Sequence, residues 1–339
     1  MNDYPQKPAS EKTPKFSREW LDVDPEIEVN RICGKLRQSV FDTLHKQGGV
    51  VGISGGIDSS VVLALAVKAF GADRVVGILM PERESSPEST KLAQNLAAEL
   101  GVKTVTECIS DILEGFGCYR RRNEAISRVI PEYHQPEWGA KIVLPPDLLN
   151  QDALNVYRLV VTSPDQHEVS KRLPKDEYLQ IVAASNLKQR ARMSVLYFHA
   201  EARNYAVIGT TNKNEHDLGF FVKWGDGGVD ISPIQHLFKT QIFQLAEYLN
   251  IPDEIRARIP TTDTYPGGCT QEEFFYRVPF NVLDAIWLGY EKGVSVDEIA
   301  MALELRTEQV ARVISDIKSK QRSTNYLRMS PLPILISIE

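Results

Sequence analysis

Two stretches of this sequence set residues that can do chemistry directly after short apolar runs. The first is Gly52-Ile53-Ser54-Gly55-Gly56-Ile57-Asp58-Ser59-Ser60. Before it, Val50 to Ile53 reads as a buried β-strand; beyond it, the apolar run from Ser59 to Phe70 reads as a helix. The glycines let the backbone approach an anion closely, and the start of the helix offers free N–H groups with a partial positive charge. Ser54, Ser59 and Ser60 add hydroxyl donors around the same anion, and the set suits a pyrophosphate. Asp58 stands at the mouth, where a carboxylate can hold Mg²⁺ against phosphate oxygens. The loop lacks the Gly-Lys-Ser/Thr ending of a Walker A loop and does not fit G-x-G-x-x-G. A glycine turn capped by serines is the plain alternative. The complete S-G-G-x-D-S-S order between apolar strand and apolar helix favours the anion.

The second stretch runs from Gly209 to Asp230 (GTTNKNEHDLGFFVKWGDGGVD), after a strand candidate at 205–208. In an open α/β sheet, ligands bind beyond the carboxyl ends of the strands where the strand order reverses. Two polar loops after two parallel strands are therefore expected to face one crevice. Glu215 is placed to supply a second Mg²⁺ ligand. Lys223 and Asp230 bracket a glycine-rich turn and suit the phosphate and hydroxyl groups of a second substrate. Taken singly, either would read as a solvated loop charge.

The elements that must position these loops follow a strand–helix rhythm. An amphipathic helix is expected over 25–46, with Ile27, Val29, Ile32, Leu36, Val40, Phe41 and Leu44 at near-helical spacing. Further strands are expected at 74–80 and 103–109, with a helix at 88–100 between them. Such alternation means right-handed βαβ units, so the fold class is α/β: a doubly wound, mostly parallel sheet with helices on both faces. A helix beginning near Leu187 precedes the 205–208 strand. The segment from about 118 to 184 breaks the rhythm with Arg120, Arg121 and Arg122, a Pro145-Pro146 break, and a β-hairpin over 155–162 and 168–173 turning at Ser163-Pro164-Asp165. It reads as an insertion decorating a single domain over 25–330, between flexible tails at 1–24 and 331–339. The three arginines read as a solvated basic face, with a grip on substrate phosphate as the alternative.

Composition limits the possible partners. A formal charge of −6 over 339 residues argues against a wide nucleic-acid surface. No apolar run approaches the length of a membrane helix, and the polar, proline-dotted start has no signal-peptide core. Cys33, Cys108, Cys118 and Cys269 include no C-x-x-C pair and suit reduced thiols, so the expected location is cytoplasmic.

The first loop resembles the signature of the ATP-pyrophosphatase (PP-loop) superfamily, which cleaves ATP between its α and β phosphates. The second stretch resembles, without a gap, the NAD synthetase pattern G-T-x-x-x-x-E-x-x-x-G-(Y/F)-F-x-K-(Y/W)-G-D-G-x-x-D. The likeness continues through Ile231 to Ile234, Lys239-Thr240-Gln241 and Pro260 to Asp263, and upstream through Asn186 to Met193 (NLKQRARM). It covers about 25–318 with the insertion removed.

Position by position, the resemblance implies that Gly52, Ser54, Gly55, Gly56, Asp58, Ser59 and Ser60 cradle the phosphates of ATP. Asp58 and Glu215 would bind Mg²⁺; Thr210, Lys239 and Thr261 would contact ATP; Arg190, Lys223 and Asp230 would contact deamido-NAD. It implies amidation of deamido-NAD through an adenylated carboxylate, with Asp58 and Lys239 as the catalytic pair and AMP and pyrophosphate as by-products. Only about 50 residues precede the loop, too few for a glutaminase domain, so free ammonia or a separate glutaminase is expected as the nitrogen source. A homodimer is implied as well.

Two features depart from the family. One is the insertion. The other is the end of the chain, where Lys318 to Tyr326 (KSKQRSTNY) stands for the family's His-Lys-Arg segment and keeps its basic character alone. A PP-loop amide ligase for another carboxylate is the main alternative. A helix-turn-helix nucleic-acid binder over 295–318 is a weaker one, since 307–318 carries no net charge; a helical packing element fits that segment better.

Overall fold

Val50 and Val51 are fully buried neighbours in one strand and face opposite sides of it, so the strand needs cover on both faces. That strand, β1 (Gly49–Gly52), lies at the heart of the computed structural model, which describes residues 15–135, 137–145, 147–150, 156–259, 261–262 and 269–334, with only the backbone at 261, 262, 269 and 273. The elements in chain order are α1 (Pro25–Arg37), β1, α2 (Ile57–Phe70), β2 (Val75–Leu79), α3 (Pro87–Glu99), β3 (Lys103–Thr106), α4 (Ser110–Gly115) and α5 (Cys118–Val129). There follow β4 (Gly139–Val143), β5 (Arg158–Thr162), β6 (Glu168–Arg172), α6 (Lys175–Glu201), β7 (Ala206–Ile208), α7 (Lys213–Leu218), α8 (Lys239–Tyr248) and α9 (Asp253–Arg256). The chain closes with β8 (Thr261–Thr262), β9 (Cys269–Thr270), α10 (Phe280–Glu291), α11 (Val296–Leu303), α12 (Thr307–Ser323) and α13 (Asn325–Arg328).

The main sheet is parallel throughout, in the order β3-β2-β1-β7. One face carries Val51, Val75, Leu79 and Ile208 against α1, α2, α3 and α8. The other carries Val50, Val76, Ile78 and Val207 against the second half of α6. The doubly wound α/β class expected from the sequence is what the chain adopts. The path steps outward from β1 to β2 and β3, then returns to the far side of β1 as β7. The reversal therefore falls between β1 and β7, so the loops after these two strands share one crevice.

Around α5 and the first half of α6, the antiparallel sheet β4-β5-β6 closes a separate core from Ala125, Ile126, Ile142, Leu159, Val161 and Ile181. The β5–β6 hairpin matches the one read from the sequence, and β4 is an additional strand. The helix expected from Leu187 begins at Lys175, behind Pro174, and runs for 27 residues, passing without a break from this small sheet to the main one. Ahead of Pro25, where a flexible tail was expected, Phe16 and Leu21 are buried against the carboxyl-terminal helices. In α11 and α12 the apolar residues Ile299, Leu303, Val310, Val313, Ile314 and Ile317 are all buried, the packing role expected of that segment. No helix of the described residues is long and apolar enough to cross a membrane, and Cys33, Cys108 and Cys118 are free thiols.

The reading of Arg120 to Arg122 as a solvated face is corrected at Arg122. Arg120 is exposed and pairs with Glu124 on its own helix. Arg122 is fully buried and grips both oxygens of Glu84, at 2.7 and 2.6 Å. Lys188, also buried, bridges Glu84 at 2.8 Å and Glu82 at 2.9 Å. Burial alone would raise the Glu84 carboxyl, yet the Arg122 and Lys188 charges outweigh it and hold it at about 2. Arg122→Ala is expected to cost about 3–5 kcal/mol by stranding a buried carboxylate, and Arg120→Ala to stay within about 0.5 kcal/mol. Equilibrium urea unfolding measures both.

Candidate active site

β1 ends at Gly52, and the chain turns through Ser54, Gly55 and Gly56 into α2. Gly55 sits in the left-handed region at φ 76°, and a Cβ there would lie 2.3 Å from the Ser89 carbonyl oxygen of α3. Only glycine fits, because the loop is pressed onto the neighbouring helix. The serines hold the loop's shape. The Ser54 N–H donates to Ser59 Oγ at 3.2 Å, the Gly56 N–H to Ser54 Oγ at 3.3 Å, and Ser59 Oγ to the Gly56 carbonyl at 3.0 Å. Ser60 Oγ also donates to the Gly56 carbonyl, at 2.9 Å.

Asp58, in the first turn of α2, receives Lys239 Nζ on one carboxylate oxygen and Asn212 Nδ2 on the other, the latter at 3.0 Å. Lys239 opens α8 and is 1% exposed. Its backbone N–H donates to Asn214 Oδ1 at 2.9 Å. The buried Asp284 of α10 accepts from Thr240 N at 3.0 Å, from Thr240 Oγ1 at 2.9 Å and from Asn214 Nδ2 at 2.5 Å. Asp284 thus fastens the start of α8, and burial pushes its carboxyl up to about 6.

Glu215 belongs to the capping box that starts α7. Its N–H donates to Asn212 Oδ1 at 3.0 Å, while its Oε2 accepts the Asn212 N–H at 3.1 Å. Burial, and after it the charge of Asp58, pushes the Glu215 carboxyl up to about 8. Two carboxylates therefore share one desolvated wall, with Lys239 beside them.

A cleft of about 710 Å³ opens over this wall, and Gly52, Ser54, Gly55, Gly56, Asp58, Ser59, Thr210, Glu215 and Lys239 all line it. Ser60, Arg190, Lys223 and Asp230 are not among its lining residues. Ser60 is turned back onto the Gly56 carbonyl. Asp230 accepts the Val207 N–H at 2.8 Å and the Tyr197 hydroxyl at 3.1 Å, behind the sheet edge. Lys223 Nζ donates to the Tyr326 and Met329 carbonyls at 3.0 and 2.7 Å, and Arg190 reaches the Lys223 carbonyl at 3.4 Å. The Thr261 side chain lies outside the described residues.

Sequence reasoning left several charged groups of the cleft unassigned, Asp226 and Lys320 among them. Asp226, inside the Lys-Trp-Gly-Asp-Gly turn, lines it and accepts the Val222 N–H at 2.7 Å; burial pushes its carboxyl up to about 6. Lys320 of α12 also lines it, bonded to Asp316 at 2.6 Å and to the Phe275 carbonyl at 2.7 Å. The basic run of 318–326 signalled a cation here without saying which one turns inward.

The NAD synthase family model matches residues 28–130 and 151–326 of the chain. The chain belongs to the NAD synthase family. Among its curated relatives, the NH(3)-dependent NAD(+) synthetase of Mesorhizobium japonicum is 46% identical over 92% of the chain and 97% of its own length. That of Thermotoga neapolitana is 38% identical over 78% of the chain and 84% of its own. Among solved structures, the NH3-dependent NAD synthetase from Campylobacter jejuni superposes with a TM-score of 0.60 at 22% identity, over 92% of this chain and all of that one. The NMN synthetase from Francisella tularensis gives 0.59 at 22%, over 93% of this chain and all of that one. These two likenesses bear on the fold alone.

Gly55→Ala should cost about 1–3 kcal/mol through its backbone conformation, and the contact with the Ser89 carbonyl should distort the loop as well. The expected result is a folded protein, by circular dichroism, whose ATP binding by calorimetry is lost.

Proposed function

We propose that this chain is an ammonia-dependent NAD synthetase, converting deamido-NAD, ATP and ammonia to NAD, AMP and pyrophosphate. The observation that carries the proposal is the Asp58–Lys239 pair standing at a preformed phosphate loop, in a chain of this family. The curated relatives named above, matched over 97% and 84% of their own length, are NH3-dependent NAD synthetases.

In the first step a carboxylate oxygen of the nicotinate attacks the α-phosphorus of ATP. The bond to the β-phosphate oxygen breaks, and pyrophosphate leaves with the electron pair. Lys239 neutralises charge on that leaving group, while the N–H groups at the start of α2 hold it in line. In the second step ammonia attacks the carbonyl of the mixed anhydride, and AMP departs from the tetrahedral centre. The nitrogen arrives as ammonium and must lose a proton before it attacks and another afterwards. Asp226, buried in the cleft with its carboxyl at about 6, is suited to accept one.

Mg²⁺ fits the wall between Asp58 and Glu215. The Glu215 carboxyl is raised by burial and by the Asp58 charge, the mark of a site short of positive charge, and both side chains offer the hard oxygen ligands this ion prefers. When bound, the ion supplies electrostatic stabilisation of the phosphate oxygens.

We further infer a homodimer in the cytoplasm. Leu179 and Phe198 of α6 are 52% and 64% exposed, and Arg190 and Asp230 lie outside their own cleft, on a surface that an acceptor shared across an interface would meet. Free thiols at Cys33, Cys108 and Cys118 fit a reducing compartment.

Two measurements test the reading. With Mg-ATP, ammonium and deamido-NAD, NAD and AMP should appear in equal amounts; Asp58→Ala should abolish both while leaving the thermal unfolding curve cooperative. Full turnover in that variant removes the role of Asp58. AMP without NAD would mean another acceptor. For Glu215, the folded value of about 8 lies above the ordinary 4.5, so without metal the folded state keeps a proton across that window and loses stability as pH rises through it. Mg²⁺ must displace this proton. Its affinity is therefore expected to climb about tenfold per pH unit from pH 6 and level off near pH 8, and the slope should vanish in Glu215→Gln. Titration calorimetry at pH 6, 7 and 8 reads both.

A further inference from the structure

Glu82, Arg83 and Glu84 follow one another in the connection between β2 and α3, where charged side chains would ordinarily face water. Here the Glu82 side chain is fully buried and that of Glu84 is 11% exposed. Glu82 accepts from Lys188 Nζ at 2.9 Å, from the Tyr119 hydroxyl at 2.7 Å and from the Glu84 N–H at 3.1 Å. Glu84 takes both arms of the Arg122 guanidinium, and Lys188 Nζ at 2.8 Å. The Arg83 guanidinium lies over the Tyr119 ring, 3.5 Å from its centroid, and pairs with Glu114. All three side chains of the connection are thus gripped from outside it, by α4, α5 and α6.

Apolar side chains of similar volume often stabilise a core as well as a buried ion pair does; the two-armed hold of a guanidinium on a carboxylate adds a fixed geometry. The geometry fixed here adjoins the phosphate loop. Two residues past Glu84, Ser86 caps α3, its Oγ accepting the Ser89 N–H at 3.4 Å. The Ser89 carbonyl is the group against which Gly55 is pressed, and Ser85, Ser86 and Ser89 all line the cleft. Lys188 meets the loop by a second route as well. Eight residues further along α6, about 12 Å at helical rise, Leu196 packs against Gly52, its Cδ1 lying 3.4 Å from where a Cβ would stand.

We propose that Arg122 and Lys188 are positioning residues for ATP: by clamping Glu82 and Glu84 they hold the β2–α3 connection, and with it the first turn of α3, in the place that shapes the phosphate loop. Neither lines the cleft, so both act through the residues they hold. The proposal rests on the reading of that loop as the ATP site. A clamp serving stability alone would leave the affinity for ATP unchanged when apolar side chains replaced it.

The test uses the full-length enzyme. Arg122→Met combined with Glu84→Met removes one pair and leaves Lys188 with Glu82, so its thermal unfolding midpoint is expected to stay close to that of wild type. Its Kd for ATP, by calorimetry, should rise about tenfold, while KM for deamido-NAD at saturating ATP stays within about twofold. Arg122→Lys, which keeps the charge and loses the two-armed hold, should raise the Kd for ATP in the same direction. An unchanged Kd for ATP in both variants overturns the proposal, as does an equal rise in KM for deamido-NAD. Should neither variant fold, hydrogen exchange of the wild-type enzyme decides. Without ATP, the amides of Glu82, Glu84 and Ser85, bonded within the connection, should already be protected; protection that appears only on adding ATP overturns the clamp. Wild-type enzyme that binds no ATP would instead overturn the underlying reading of the site.

Discussion

Lys239 is held against Asp58 because a carboxylate on another helix fastens the start of its own. Asp284 takes three hydrogen bonds from Thr240 and Asn214, and Asn214 in turn accepts the Lys239 N–H. The positive end of α8 is thereby satisfied from within the fold rather than by water. The lysine is set in place by the fold itself, and Asp58 holds its ammonium. The two loops at the strand reversal, α8, and the otherwise distant α10 are tied into one polar unit by this clamp.

That unit has an unbalanced electrostatic make-up. Asp58 is paired with Lys239, but among the described residues Glu215 forms no ion pair; its hydrogen bonds come from the Asn212 backbone N–H and, at 3.5 Å, from Gln271. In the function proposed above, a metal and a polyphosphate would complete the charge balance. The network around Glu84 is the reverse case. Arg122 and Lys188 balance Glu82 and Glu84 within the protein, which marks that cluster as part of the framework rather than of the chemistry.

Much of the working core was legible in the sequence because it is local. Gly52 to Ser60 declares a strand end, a glycine turn and a helix start in nine consecutive letters, and the Asn212–Glu215 spacing is a capping box as well as a motif. What stayed hidden depends on contacts between distant segments. Asp284 sits in the apolar run FNVLDAIWLG with no motif around it. Arg122 looks like its neighbour Arg120 until Glu84, 38 positions earlier, is folded against it. The early start of α6 was readable in principle, from Pro174 followed by Asp176 and Glu177. The resemblance-implied roles of Arg190, Lys223 and Asp230 concern surfaces beyond this cleft, and no spacing rule reveals which way a loop charge turns.

The unbroken run of α6 has a mechanical consequence. A helix of 27 residues is a stiff rod about 40 Å long, and it is anchored at one end in the small antiparallel sheet and at the other under the phosphate loop. Hinge closure of one sheet against the other would have to bend that rod, which contains neither proline nor glycine over its length. Opening for substrate entry and product exit therefore belongs to the short connections over the cleft. The breadth of the site is a fixed gauge, set once when the helix folds.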